Sequence, residues 1–406
     1  MEEKAKTALV MEGGAMRGMF TCGVIDVMME NGIDFEAAAG ISAGAAFGCN
    51  YKSRQIGRAI RYNKAYCKDP RYCSLRSLRK TGDLYGVDFC YRELPLELDV
   101  FDRATFAADP MEFYVGATDI NTGEAVYHKC SDGGEADFEW MRASASMPLV
   151  SRVVEIDGRE LLDGGIVDAV PYRFMESLGY SRNVIILTQP EGYRKKKSKA
   201  LLPVRWKLRK YPKLVGAMAD RHLMYNRQMD EIDGREHSGS AFVIRPPEPL
   251  NIGRTEKDPD ELERVYRIGR EEALRRLTEL KAFLNDLRFC REGDILKINI
   301  NGDYLTVMIT GDEFEAPSSP IKRVCPITDK SPVSENMKVD MDVYPYRVEL
   351  SNMKTWGFVM CDNEFEIDLT EVNASYIESA PEGIVWEVSQ CITAYNRPKD
   401  SEYFMK

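Results

Sequence analysis

The sequence predicts a three-layer α/β/α sandwich around a mostly parallel central sheet, followed by a small β-rich or α+β domain. Three observations predict it. Short apolar runs of strand length alternate with segments of helical spacing. Two of those runs end in glycine turns that lead straight into helices. After residue 288 the pattern changes to two-residue alternation around hairpin turns, and the charge changes with it.

In order, Thr7 to Glu12 is an apolar run that stops at Gly13-Gly14, a buried strand and its turn. Residues 17–31 follow with helical spacing, placing Phe20, Val24, Val27 and Met28 on one face before Asn31-Gly32 ends the helix. Phe35 to Ala39 is a second strand, running into Gly40-Ile41-Ser42-Ala43-Gly44 and a helix of small residues. Residues 113–119 and 124–130 flank Asn121-Thr122-Gly123, and residues 152–156 and 159–162 flank Asp157-Gly158, so both pairs read as hairpins. Asn183 to Thr188 and Ala241 to Ile244 read as further buried strands. A charged helix is expected over 258–286. Beyond it, Asp294 to Ile300 and Tyr304 to Ile309 form a hairpin around Asn301-Gly302, with more strands expected at 343–350 and 355–367.

Charge supports a division into residues 1–287 and 288–406. The second part carries 12 Lys/Arg against 21 Asp/Glu, and the first is nearly neutral at 43 against 44. A net charge of −10 argues against a nucleic-acid partner. The first residues are charged, without an apolar leader, and no run of 18 apolar residues occurs, so no membrane span is expected. Ten scattered cysteines without a CxxC pair, and only three histidines, point to free thiols in the cytoplasm and to no structural metal. No cofactor motif is present: neither G-x-G-x-x-G nor a phosphate-binding G-x-x-x-x-G-K-[ST] occurs at these turns.

Three motifs carry chemistry. Gly40-x-Ser42-x-Gly44 is a nucleophile elbow: a serine on a tight strand-to-helix turn, with glycines where side chains would crowd the turn. Its plain alternative is a packing turn. Gly13-Gly14-Ala15-Met16-Arg17-Gly18 lies at a second strand-to-helix turn, where consecutive backbone N–H groups suit an oxyanion. Its alternatives are a phosphate loop or a packing turn. Asp163-Gly164-Gly165 ends the second hairpin and brings a carboxylate that can serve Ser42 as general base. Asp132-Gly133-Gly134 has the same letters but reads as a turn. None of His128, His222 and His237 stands at a strand end suited to a triad, so a Ser-Asp dyad is preferred. A free aspartate titrates near about 3.9, so burial has to raise Asp163 for it to work as a base.

These motifs, in this order and spacing, resemble the patatin-like phospholipase family, and Ala143-Ser-Ala-Ser-Met-Pro148 is similar to a further block of that family. The resemblance covers about 7–190 and, more weakly, continues to about 285. It implies a patatin-like sandwich and hydrolysis of acyl esters of lipids, with Ser42 as nucleophile and Asp163 as base. Gly13, Gly14, Gly18 and Arg17 would build the oxyanion loop. Ala15 departs from the three glycines of many members, although it still supplies an N–H. Two other classes stay open: a non-catalytic lipid-binding or scaffold protein on the same fold, and an acyltransferase.

Residues 194–213 hold ten Lys/Arg and no acid, interleaved with leucines and Trp206. Such a segment can lie on an anionic membrane, which makes Lys195, Lys196, Lys197 and Trp206 candidates for peripheral membrane contact. The other reading is a solvated face that meets the acidic C-terminal domain.

Overall fold

The computed structural model describes residues 6–197, 206–284, 292–300, 302–312, 321–328, 345–351, 353–369 and 372–396. The chain divides into two compact units, Met1–Arg276 and Leu277–Lys406. The domain boundary expected at 287/288 lies outside the described residues.

The first unit holds an eight-stranded sheet: β1 (Thr7–Met11), β2 (Ala37–Ile41), β3 (Glu112–Asp119), β4 (Glu124–Cys130), β5 (Val154–Ile156), β6 (Arg159–Asp163), β7 (Arg182–Ile186) and β8 (Ala241–Ile244). Strands β3, β2, β1, β7 and β8 run parallel, and β4 and β6 pair with β3 antiparallel. Strands β1, β2, β7 and β8 are buried at every position, as a parallel sheet covered on both faces requires. On one face Ala8, Val10, Ala39 and Ile185 pack against Tyr172, Tyr225, Met229 and Ile232. The last three belong to a long helix, Pro212–His237. On the other face lie α1 (Gly18–Glu30) and α2 (Ala43–Lys52), where Gly48 faces Met11 so closely that a Cβ would lie 2.5 Å from its side chain.

The helix over 17–31 does not bury one face only. Every residue from Gly18 to Met28 is buried. The cause is a glycine crossing with the helix Pro259–Arg275: a Cβ on Gly23 would lie 2.1 Å from Tyr266 O, and one on Gly269 2.1 Å from Phe20 O. The single helix expected over 258–286 is also two, Pro259–Arg275 and Leu277–Leu284. Between them Arg276 turns its guanidinium to the sheet, donating to Val243 O at 2.8 Å and stacking 4.4 Å from the Phe242 ring.

The second unit is a seven-stranded antiparallel sheet in the order β12-β13-β11-β10-β9-β15, with β14 on β11: β9 (Asp294–Ile300), β10 (Asp303–Asp312), β11 (Ile321–Thr328), β12 (Arg347–Leu350), β13 (Gly357–Met360), β14 (Phe365–Asp368) and β15 (Asn373–Ser379). Alternate residues feed two cores. Leu296, Val307 and Val324 face one side, and Ile295, Met308 and Cys325 face the other, under the helix Glu382–Tyr395. The expected strand at 355–367 is two strands, β13 and β14, separated by a turn at 361–364.

Candidate functional site

Strand β3 explains how two distant residues meet. Strand β4 takes one of its edges throughout. The other edge is shared: β2 pairs with its first half, ending at Ile41 opposite Gly116, and β6 takes over with Asp163 opposite Ala117. The chain that leaves β2 at Ser42 and the chain that leaves β6 at Asp163 are therefore set one register position apart. Ser42 Oγ donates to Asp163 Oδ2 at 2.8 Å.

The turn at Ser42 is tight. Ser42 has φ 54° and ψ −117°, a conformation costly for a residue with a side chain. A Cβ on Gly40 would lie 2.4 Å from Gly44 O, and one on Gly44 would lie 2.4 Å from Met11 O. Both distances are to backbone, which has no way to rotate aside. Ser144 locks the arrangement: its hydroxyl accepts from Ser42 N at 2.8 Å and donates to Gly116 O at 2.6 Å. Ser146 O accepts from Asp163 N at 2.8 Å. The 143–148 block thus ties both chain ends to one frame.

Asp163 is buried, with Oδ1 accepting from Gly165 N at 2.8 Å. Burial raises its carboxyl above the usual carboxylate range, opposed by the positive charge of Arg221, the Ser42 hydroxyl, the Gly165 amide and the charge of Lys195. Arg221, on the helix Pro212–His237, donates from Nε to Gly165 O at 2.5 Å.

The second glycine motif lies across the turn. A Cβ on Gly13 would be 3.1 Å from Ser42 Cβ, one on Gly14 2.7 Å from Thr188 Oγ1, and one on Gly18 2.8 Å from the Phe47 ring. Ala15 opens a 3-10 turn, Ala15–Arg17, with φ 50°. That value is easy for glycine and strained for alanine. Arg17 donates to Thr188 Oγ1 at 3.4 Å. Thr188 in turn donates from N and Oγ1 to Glu12 Oε2 at 2.6 and 3.0 Å, and Tyr225 OH donates to Glu12 Oε1 at 2.9 Å.

Ser42 and Ala15 open onto an apolar pocket walled by Phe47, Tyr62, Tyr91, Leu94, Phe138 and Met141. Tyr91 and Leu94 come from a wide helical segment, Phe89–Leu98, whose Asp99 amide bonds back five residues to Leu94 O.

The remaining candidates lie elsewhere. Asp132 pairs with Arg103 and accepts from Gly134 N, a turn residue. His222 and His237 bond backbone carbonyls of their own helix. His128 stacks on Trp140 and bonds Asp137 at 2.8 Å. His128, Cys130 and Asp137 bring three potential ligand atoms together, but Asp137 Oδ2 is already taken by the amides of Ser131, Asp132 and Gly133.

Of the basic stretch, 198–205 lies outside the described residues. Lys196 and Lys197 are exposed, and Trp206 is 74% exposed. Lys195 departs from the expectation of a membrane-facing lysine. Asn226 clamps its backbone, accepting from its N at 2.7 Å and donating to its O at 3.1 Å, and its ammonium sits 3.9 Å over the Tyr225 ring. Burial and then the charge of Arg221 lower it to about 7.

Sequence reasoning missed Ser144, Thr188, Glu12 and Arg221 as parts of the site. Ser144 sat within a block already noted, whereas nothing local marks Thr188 or Arg221.

Residues 9–175 match the family model of the patatin-like phospholipases. This segment has a patatin-like fold. Residues 211–285 match a second model, the domain of unknown function DUF6363, which includes the helix carrying Arg221, Tyr225 and Asn226. The chain is 27% identical over 286 residues to the uncharacterized protein YjjU of Escherichia coli, covering 66% of this chain and 76% of that one. It is 29% identical over 166 residues to an uncharacterized NTE family protein of Mycobacterium tuberculosis, covering 41% and 44%. It is 28% identical over 182 residues to the lysophospholipase NTE1 of Chaetomium globosum, covering 42% of this chain and 11% of that relative. Most of the fungal relative lies outside the match. Among the described residues no helix is long and apolar enough to cross a membrane.

Proposed function

We propose that this protein hydrolyses acyl esters of lipids, with Ser42 as nucleophile and Asp163 as general base. The observation that carries the reading is the 2.8 Å bond from Ser42 Oγ to Asp163 Oδ2 at the mouth of an apolar pocket. The patatin-like segment and the lysophospholipase among the relatives support a lipid ester as substrate.

In this mechanism Ser42 Oγ attacks the acyl carbonyl carbon while its proton passes to Asp163. The amides of Gly14 and Ala15 stand at the start of a helical turn, where N–H groups have no partner within the helix, and they receive the oxyanion. The ester C–O bond breaks, and the leaving alcohol takes the proton from Asp163. Water then attacks the acyl-enzyme, giving its proton to Asp163; the Ser42 Oγ–acyl bond breaks, Asp163 returns that proton to Ser42 Oγ, and the free acid leaves. Residues of this chain supply each step without a cofactor. Transfer of the acyl group to another alcohol follows the same first half and differs only in the acceptor. A peripheral approach to lipid, from the cytoplasm, uses exposed Lys196, Lys197 and Trp206. Residues 288–406 are read as an accessory domain without a part in the chemistry.

The test is labelling by a fluorophosphonate together with hydrolysis of a soluble p-nitrophenyl ester. Ser42→Ala abolishes both. Asp163→Asn lowers hydrolysis by about 10³-fold or more, the scale on which unassisted serine loses its base. Asp132→Asn leaves hydrolysis intact. An active Asp163→Asn protein, or a dead His128→Gln protein, overturns the dyad.

A further inference from the structure

Three cations converge near the Ser42-Asp163 pair, and none of them is among the residues that line the apolar pocket. Arg17 reaches Thr188 at the end of β7. Arg221 Nη2 and Asp163 Oδ1 both approach Gly165, 3.3 and 3.1 Å from where its Cβ would be. Lys195 turns inward over Tyr225. Each repels the next: the charges of Arg221 and Arg17 both disfavour the Lys195 ammonium. Among the described residues none of the three forms an ion pair with a carboxylate, although this protein has acids to spare. The nearby Glu12 is buried and spends its oxygens on Thr188 and Tyr225. The three positive charges thus face only two carboxylates, Asp163 and Glu12, and the excess costs stability that an arriving anion removes.

We infer that Arg17, Lys195 and Arg221 form a subsite for the phosphate of the acyl-ester substrate, and that the DUF6363 segment supplies part of it. This rests on the hydrolase reading above and deepens it. The layout is amphipathic around one serine: acyl chain toward Phe47, Tyr91 and Phe138, phosphate toward the three cations. Arginine offers a fork that matches phosphate oxygens, and lysine adds a point charge. The helix Pro212–His237 carries Arg221, the Tyr225 ring under Lys195, and Asn226, which fixes the Lys195 backbone. One family segment therefore holds the serine, and the other gives the anion site its shape.

The inference has a pH signature. Groups facing Lys195 are Glu12 from the end of β1, Arg17 from the 3-10 turn, Arg221 and Tyr225 from the long helix, and Arg254 from the loop after β8. With Lys195 lowered to about 7, its charge is present below that pH and lost above it. Binding of a phosphodiester, which does not itself titrate there, weakens as pH rises through that range, and Lys195→Arg flattens the dependence.

The test has a binding arm and a kinetic arm, both on the full chain. In the binding arm, Ser42→Ala protein is titrated with inorganic phosphate, glycerol 3-phosphate, glycerophosphocholine and, as a carboxylate control, acetate. Adding Lys195→Met or Arg221→Gln weakens binding of the phosphates by at least about tenfold, as expected for removing one charge-assisted hydrogen bond, and Lys195→Arg restores it. Preference for glycerol 3-phosphate over inorganic phosphate identifies a headgroup site, and the reverse identifies a free-phosphate site. In the kinetic arm, the ratio of kcat/KM for a 1-acyl-glycerol 3-phosphate over the same 1-acyl-glycerol falls by about tenfold in Lys195→Met, through KM. Equal loss for both esters, or phosphate binding indifferent to Lys195 and Arg221, overturns the subsite. Phosphate binding that depends on these residues in a protein that hydrolyses neither ester overturns the hydrolase and keeps the anion site.

Discussion

The two compact units differ in where they keep strain and buried charge. In the first, the described non-glycine residues with positive φ are Ala15, Ser42, Arg54, Leu149, Asp157 and Asn251, and two of them line the pocket. Glu12, Asp26, Arg58, Asp137 and Asp163 are all buried there. In the second, the described positive-φ positions are the glycines 293, 302 and 357, and the buried charged residues are Asp294 and Lys322. The second unit is built as antiparallel sheets usually are, with alternating apolar faces and glycine at turns. The first departs from that economy where β1, β2 and β6 end. Strain and buried charge survive in a fold when something else holds them, and they mark where position matters more than stability.

That difference is sharpened most by glycine substitutions. In the first unit, Gly44→Ala drives a Cβ to 2.4 Å from Met11 O. The backbone has to shift, and Ser42 shifts with it. We expect a stability loss of about 1–3 kcal/mol or more, and a fall in kcat of about 10²-fold from misplacing the hydroxyl. Thermal melting and ester kinetics on the same sample check both. A Gly44→Ala protein with wild-type activity would show that the elbow is a packing turn.

The second expected effect is on pH dependence. Asp163 acts as base only as a carboxylate, and burial raises its pKa. Activity is therefore lost as pH falls through a value above the ordinary 3.9 or so, with kcat/KM dropping about tenfold per pH unit below it. Arg221 is the largest influence opposing the rise, so Arg221→Gln moves this acid limb to higher pH. The stability sign is opposite. A folded-state pKa above the unfolded one means the native state holds the proton more tightly, so this group's contribution is greatest below the unfolded pKa and declines as pH rises through the folded one. Chemical denaturation across that window should show Asp163→Asn flattening the decline.

What the sequence made legible was local. The glycines of 13–18 and 40–44 stand within a few residues of the groups they admit, and Asp163 ends a hairpin marked by Asp157-Gly158. The mostly parallel sheet followed from short apolar runs alternating with helical segments. What stayed hidden depended on contacts between distant positions. Ser144 matters because Gly116 is its acceptor, 28 residues away. Arg221 meets Gly165 across 56 positions. Lys195 shows the limit most clearly. Its charge was readable as one of ten in a basic stretch, but its direction was set by Asn226, 31 residues on. Counting charges gives a segment's sign and leaves the aim of each side chain undetermined. The break at Arg276 has the same origin, since helical spacing continues through it and only the sheet's Val243 carbonyl explains the turn.

The smallest effects come from opposite substitutions in the two units, glycine for alanine in the first and alanine for glycine in the second. Ala15 holds φ 50°, where an L-residue costs about 1–2 kcal/mol. Glycine removes that strain but gives back about 0.5–1 kcal/mol through the greater freedom of the unfolded chain. Ala15→Gly should thus be neutral or stabilising by up to about 1 kcal/mol, the reverse of the usual direction for that change. Its N–H remains, so soluble-ester hydrolysis should persist. In the second unit, Gly383 lies in the first turn of the helix Glu382–Tyr395, and a Cβ there meets nothing within 4 Å. Gly383→Ala should stabilise by a few tenths to about 1 kcal/mol from helix propensity alone, with no change in ester kinetics. Equilibrium denaturation of the two variants decides the point. If Ala15→Gly destabilises as an ordinary helical substitution would, the 3-10 turn is not strained, and the first unit loses one of the two positions that place its backbone cost beside Ser42.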